Sequence, residues 1–267
     1  MTVTWILEGE AFADGHRRLA EAAEAAGQRV VPWDDAWWEL PSLPAVEGPA
    51  VFHGSLGNAD RLAGESSWTP GAWCRTPAFF CSAYYPNTAR WLVHGDCCLL
   101  PAERLARDPE GALAQLGHPE QVFVRPDSPL KPFSGRVLPA DGITLEALDH
   151  GFYYDDATLP VVVAPALELG MEWRFVVVDG QLVTGSAYDP ATRSSAGTVH
   201  DGRAWEVAQT IVADLPPPEP VFVLDLCELG DELRLLELNP FSGADLYDCD
   251  RARIVATVGA FVARADT

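Results

Sequence analysis

The 267-residue sequence has almost no lysine: Lys131 is the only one, and the other 17 basic side chains are arginines. Basic residues are scarce altogether, 18 against 39 acidic ones, for a net charge of −21. Without a Lys/Arg-rich run the chain lacks the phosphate-neutralising surface that supplies most nucleic-acid affinity. The same deficit disfavours docking on anionic lipid. No stretch approaches the ~20 apolar residues of a membrane span. The opening Met-Thr-Val-Thr-Trp-Ile-Leu-Glu has neither the basic region nor the apolar length of a signal peptide. The six cysteines (74, 81, 97, 98, 227 and 249) form no CxxC pair and have no histidine at zinc spacing. They read as reduced thiols of a cytoplasmic protein. What is present is a solvated acidic surface and 48% hydrophobic residues, enough to fill a sizeable core in one or two domains.

The patterning begins as α/β. An apolar strand at Val3–Leu7, an Ala/Glu-rich helix over Asp14–Ala26, a strand at Gln28–Val31 and another at Ala50–His53 have the spacing of parallel strands. The glycines after His53 do not make GxGxxG, so there is no dinucleotide fingerprint. The aromatic, Pro- and Cys-rich segment 68–85 fits neither a helix nor a strand, and Pro101–Leu116 reads as one polar helix stopped by Gly117-His118-Pro119. A domain boundary is placed at Pro119. Beyond it the pattern is largely β: strands at Gln121–Arg125 and Pro160–Val163, and a hairpin of Glu172–Val178 with Gln181–Ala187 around Asp179-Gly180. A helix at His200–Ala213 follows, then a second hairpin, Val221–Glu228 with Glu232–Leu238, and a closing helix over Asp250–Ala263.

The second hairpin carries the clearest chemistry. One strand, Val-Phe-Val-Leu-Asp-Leu-Cys, places Asp225 in an apolar run; the other, Leu-Arg-Leu-Leu-Glu-Leu-Asn, ends in Glu237 and Asn239. Alternation puts Glu237 and Asn239 on one face. A three-residue loop, Leu229-Gly230-Asp231, sets Asp225 opposite Leu235 and on that same face, whereas a two-residue loop sends it to the other. The longer loop is the expectation. Three oxygen donors on one face suit Mg²⁺, with water and nucleotide phosphates completing the shell. A second piece, Val122–Val137, runs from a strand ending in Arg125 into a turn-rich loop with Lys131 at its crest and Ser128, Pro129, Ser134 and Gly135 around it. Such a loop can close over phosphates with backbone N–H groups and a compact ammonium, and it is no Walker A loop. A third piece, Glu172-Trp173-Arg174, puts an acid and a base on one strand face. Each piece alone has an ordinary alternative: solvent-facing acids, a surface loop, a simple ion pair.

Taken in order, the pieces resemble the ATP-grasp superfamily, with strand-Asp followed a dozen residues later by strand-Glu-x-Asn-Pro as the most specific match. The resemblance implies an α+β and α/β chain: an N-terminal α/β domain over 1–118, and an ATP-grasp region over 119–267 whose two subdomains clasp ATP. It implies Mg²⁺ on Asp225, Glu237 and Asn239. Arg125 stands where the family usually has a lysine on the α-phosphate, and Lys131 and Ser134 lie in the phosphate flap. Adenine would sit against backbone around Val163, Ala164, Pro165 and on to Leu167. Glu172 matches the ribose-binding acid, with Glu168 as substitute, and Arg174 a phosphate-contacting arginine. Lys131 and Arg174 would be the catalytic cations. The implied reaction activates a small-molecule carboxylate as an acyl phosphate and passes it to an amine, the substrates being amino acids or a peptide. An ATP-binding regulator and a phosphotransferase that stops at the phosphorylated product are the alternatives. For the acceptor site the candidates are Tyr188, Arg193, Ser242 and Tyr247.

Overall fold

In a computed structural model, which describes residues 2–192 and 194–265, the chain opens with a parallel sheet. Strand β1 (Thr4–Leu7) is buried along its whole length. Helix α1 (Ala13–Ala25) turns His16, Leu19 and Ala23 inward at helical spacing. It ends before Gly27, whose φ of 70° is the left-handed stop that glycine supplies most cheaply. Strand β2 (Arg29–Pro32) takes the edge, where the missing N–H of a proline breaks no ladder. Then come β3 (Ala50–His53), α2 (Leu56–Glu65) capped by the Ser55 hydroxyl, and the short β4 (Pro70–Gly71), giving the order β2-β1-β3-β4.

The segment 68–85, without a clear period in sequence, contains β4 and also the start of helix α3 (Cys81–Thr88), held by burial of Cys81, Tyr84, Tyr85 and Thr88 rather than by amphipathic patterning. After β5 (Cys98–Pro101) the single helix expected over Pro101–Leu116 is two, α4 (Ala102–Arg107) and α5 (Pro109–Gln115). Pro109 cannot donate to the first helix and instead opens the second, the position that tolerates proline best. Strands β6 (Gln121–Pro126), β7 (Arg136–Pro139) and β8 (Pro160–Pro165) complete an antiparallel sheet ordered β5-β8-β6-β7. Strand β5 precedes Pro119 in the chain yet pairs with β8, Cys98 opposite Val163. Helices α4 and α5 likewise pack Leu105 and Leu113 into the core made by Val122, Val124, Val161 and Val163.

The third sheet holds β9 (Glu172–Val178), β10 (Gln181–Asp189), β11 (Ser194–Val199), β12 (Val221–Leu229) and β13 (Glu232–Pro240), ordered β11-β10-β9-β12-β13. Helix α6 (Gly202–Asp214) covers one face and α7 (Arg251–Ala265) the other. Alternation divides the strands: Phe175, Val177, Phe222 and Leu224 pack under α6, while Val176, Val178, Val221 and Val223 join α7 and the parallel sheet in one core. Each fully buried phenylalanine contributes about 1.5–3 kcal/mol, so the strands bearing the polar residues described next are firmly fixed. All six cysteines are free thiols. No helix among the described residues is long and apolar enough to cross a membrane.

Candidate active site

Strands β12 and β13 meet at a two-residue turn, Gly230-Asp231, with Leu229 opposite Glu232, and not at the three-residue loop expected. Continued without interruption, that register would set Asp225 against Leu236 and turn Glu237 to the opposite face. The register instead shifts by one between Leu226 and Asp225: Leu226 pairs with Leu235, but Asp225 pairs with Glu237, leaving Leu236 as the extra residue of a β-bulge. The bulge brings Asp225, Glu237 and Asn239 to one face after all. On the other side of β12, Asp225 is opposite Arg174 of β9. Arg174, Asp225 and Glu237 therefore form one transverse row across three strands.

The row is closely hydrogen-bonded. Arg174 donates to Asp225 through Nε (2.9 Å to Oδ1) and Nη2 (2.6 Å to Oδ2), a bidentate fork that fixes the carboxylate plane. Its Nη1 donates to the Asp245 carbonyl at 2.6 Å, and the guanidinium lies 4.7 Å from the centre of the Tyr247 ring. Asn239 Nδ2 donates to both carboxylates, at 2.9 Å to Asp225 and 3.0 Å to Glu237. From the neighbouring sheet, Arg125 Nη1 reaches Glu237 Oε2 at 2.8 Å and Lys131 Nζ reaches Oε1 at 2.9 Å. Burial by itself would raise the Glu237 pKa, but Lys131 and Arg125 outweigh it and hold the carboxyl well below the usual range. Burial raises Asp225 from its ordinary value against the pull of Arg174. Glu172 is pushed up to about 7 by burial and by the charges of Asp225 and Glu237.

The loop that presents Lys131 is built for stiffness. Prolines 126, 129 and 132 fix φ along it, and Phe133 anchors it in the core below, stacked on Tyr154 at 5.7 Å. Asp127 at its start accepts from the Ser82 N–H at 2.7 Å and the Ser82 hydroxyl at 2.8 Å. Lys131 itself has a φ of 49°, in the left-handed region.

Between this loop and the row lies a cavity of about 480 Å³, a size typical of small-ligand sites. Of the residues singled out in sequence, Arg125, Lys131, Ser134, Glu172 and Glu237 line it. Val163 and Ala164 do not: their backbones pair within the sheet, Val163 with Val124 and Ala164 with Phe123, and their side chains are buried in it. Pro165 faces an adjoining hollow, and the wall nearest the connector is made by Leu167 and Leu169. Glu168 is exposed and outside the lining, whereas Glu172 is part of it. Arg174 has every nitrogen committed to Asp225 and Asp245, so its place is beneath the carboxylate. Among the acceptor candidates, Tyr188 and Tyr247 stack on each other at 4.7 Å next to Arg174. Ser242 is instead a buried tie: its hydroxyl accepts the Trp73 N–H at 2.9 Å and its carbonyl the Gly54 N–H at 2.8 Å. Arg193 lies outside the described residues. His94, Phe123, Leu169 and Leu236 also line the cavity without having been assigned a role from sequence. The bulge that exposes Leu236 leaves no mark in the sequence, whereas the apolar run Trp91-Leu92-Val93 ahead of His94 is a legible sign of a strand-like edge.

Asp225, Glu237 and Asn239 fit Mg²⁺ by the chemistry of their donors: hard oxygens, two of them charged, on adjacent strands facing one way. Among the described residues no group of three or more His, Cys, Asp or Glu side chains is placed to hold a metal.

Residues 107–257 match a family model described as an ATP-grasp domain, the second family of its clade. No curated protein matches the chain by sequence. Among solved structures it is similar to the D-cycloserine synthetase DcsG, with a TM-score of 0.66 and 14% identity over 98% of this chain and 100% of that one. It is also similar to a RimK domain ATP-grasp protein from Sphaerobacter thermophilus, at 0.64 and 16% over 96% and 99%. The D-alanine–D-alanine ligase of Bacillus anthracis complexed with ATP gives 0.63 and 11% over 99% and 98%. At these identities the likeness is one of fold.

Proposed function

This chain belongs to the ATP-grasp superfamily, and from that premise we propose that it is an ATP-dependent carboxylate–amine ligase. The observation that carries the reading is the transverse row Arg174–Asp225–Glu237, whose Glu237 is paired with Arg125 and Lys131 and lines with them one cavity between two antiparallel sheets. Three cations around two carboxylates leave positive charge to spare for a polyphosphate.

In this reading a substrate carboxylate oxygen attacks the γ-phosphorus of ATP and the bond to the bridging oxygen of ADP breaks, leaving an acyl phosphate. An amine then attacks the acyl carbon, inorganic phosphate departs with the C–O bond pair, and the nitrogen loses a proton. Phosphoryl transfer of this kind asks for positioning and charge compensation more than covalent help. Asp225, Glu237 and Asn239 would hold Mg²⁺, which when bound supplies positive charge at the β- and γ-phosphates. Arg174 orients Asp225, and Arg125 orients Glu237 from the opposite sheet while facing the cavity. Lys131, on a flexible stem at the crest of a stiff loop, can leave Glu237 for the transferred phosphoryl group. Glu172, inside the cavity, can accept from ribose hydroxyls. The paired rings of Tyr188 and Tyr247 form a wall beyond Arg174 against which the acceptor substrates, amino acids or a peptide terminus, can lie.

The test is ADP release from ATP with pools of carboxylates and amines, alongside thermal shift with Mg·ATP and with ATP plus chelator. A ligase releases ADP in step with amide formation when both co-substrates are present, and is stabilised by Mg·ATP but not by ATP with chelator. Release of ADP with a carboxylate but no amine, yielding a phosphorylated product that never becomes an amide, would refute it.

A further inference from the structure

One polar ring in the wall of the cavity has no partner among the described residues. His94 is 6% exposed and makes no hydrogen bond to any of them through either ring nitrogen, Nδ1 being wholly buried. Its position is built by backbone pairing. Leu92 bridges Leu235 in parallel, with the Val93 N–H donating to the Leu235 carbonyl at 2.9 Å and the Leu235 N–H to the Trp91 carbonyl at 2.7 Å. Two residues beyond that bridge stand His94 on one chain segment and Glu237 on the other. The imidazole lies flat on Phe123, with centroids 4.7 Å apart and planes within 10°.

A buried polar group without a hydrogen bond costs about 1–3 kcal/mol, and native structures keep few of them. A phenylalanine here would stack on Phe123 equally well and carry no such cost. The ring lines a ligand cavity, and with Nδ1 enclosed the nitrogen left for a ligand atom is Nε2, which is not among the enclosed unpartnered atoms. Phosphate is the wrong partner for it. Burial and the nearby Arg125 guanidinium lower the imidazole pKa to about 4, so the ring is neutral, and Arg125 and Lys131 already provide the cations. A neutral imidazole nitrogen can donate to or accept from a single atom, so Nε2 suits one ring nitrogen or exocyclic amino group of a heterocyclic base.

We propose that His94 is a specificity-determining contact of the nucleotide site, hydrogen-bonding the base of the bound nucleoside triphosphate while Phe123 holds its ring in plane. This rests on the reading that the cavity takes ATP. The experiment is calorimetric titration of the wild-type protein, His94→Phe and His94→Gln with Mg·ATP and with Mg·tripolyphosphate, which has no base, with melting temperatures recorded for each. His94→Phe should bind Mg·ATP roughly tenfold more weakly, the loss of one hydrogen bond, with unchanged tripolyphosphate affinity and a melting temperature no lower than wild type. His94→Gln, which keeps a donor and an acceptor, should fold and retain most of the ATP affinity. Equal ATP binding by wild type and His94→Phe overturns the assignment while leaving the nucleotide site standing. So does equal weakening toward ATP and tripolyphosphate. Wild-type protein that ignores Mg·ATP overturns both.

Discussion

Lys131 offers a test in which folding and function separate. Its side chain is 37% exposed, and exposed ion pairs are worth about 0.2–1 kcal/mol. Glu237 keeps Arg125 at 2.8 Å and Asn239 at 3.0 Å without it. The backbone at Lys131 has a φ of 49°, a left-handed conformation that costs a side-chain-bearing residue about 1–2 kcal/mol. Glycine escapes that cost, although it loses about 0.4–1 kcal/mol through a freer unfolded chain. These three contributions nearly cancel in Lys131→Gly, so its melting temperature should stay within about 4 °C of wild type at ~2–4 °C per kcal/mol. Lys131→Ala retains the left-handed strain and should be less stable than Lys131→Gly by about 1 kcal/mol. Both lose an ammonium whose hydrogen bond to a charged phosphate is worth about 1.5–3 kcal/mol, or roughly 10- to 100-fold in Mg·ATP affinity. Calorimetry with Mg·ATP and thermal melts of the two variants read all of this. A folded Lys131→Gly protein that binds Mg·ATP like wild type refutes the role of the ammonium, and an alanine variant more stable than the glycine one refutes the backbone argument.

Three further outcomes are expected. Glu237→Gln leaves Arg125, whose side chain is 9% exposed, buried without its counter-charge; the cost of about 3–5 kcal/mol should appear as a melting point lowered by roughly 6–20 °C, and an unchanged melt would show that the pair is not buried in solution. At Gly135 an added Cβ would lie 2.7 Å from Cζ and 2.9 Å from Cε2 of Phe123, so Gly135→Ala should lift the Lys131 loop and weaken Mg·ATP binding; an affinity equal to that of wild type would contradict the close approach. Glu172 has its pKa raised from 4.5 to about 7, so the folded state holds its proton more tightly than the unfolded chain and stability falls as pH rises through that window. Denaturant melts at pH 5 and pH 8 should therefore show wild type losing ground to Glu172→Gln at the higher pH, and parallel pH trends would remove Glu172 from the cavity.

Much of the site is legible in sequence because its chemistry is written in local strings. An acid inside Val-Leu-Asp-Leu, a strand ending Glu-Leu-Asn-Pro, and a single lysine in a proline-rich loop each identify a residue whose neighbours do not explain it. The parallel opening and both hairpins are readable for a similar reason: period-two alternation and a turn such as Asp179-Gly180, whose φ angles of 51° and 70° suit a tight hairpin. Elements fixed by tertiary burial are not readable. Helix α3 has no amphipathic period and exists because its tyrosines are enclosed, and β5 is a strand because β8 offers it an edge. The commitment of Arg174 to Asp225 and the enclosure of His94 are likewise consequences of packing between distant segments.

The β12–β13 hairpin shows where local reading reaches its limit even when its conclusion stands. In sequence, the placement of Asp225 with Glu237 and Asn239 depends on a three-residue loop, but the turn has two residues and the face is recovered by the bulge at Leu236. Both routes insert one residue relative to a regular two-residue hairpin, one at the turn and the other within the strand, so they give the same facing of Asp225 and Glu237. They differ in consequence. A longer loop would have left Leu236 in regular alternation between Leu235 and Glu237, whereas a bulge opens the ladder at the residue before Glu237, and Leu236 lines the cavity there. The irregularity thus joins the two halves of the site, because it aligns the carboxylates in one row while giving the cavity an apolar wall beside them. The register of a single residue, invisible in the alternation of apolar and polar letters, decides whether the three oxygen-bearing side chains form a site at all.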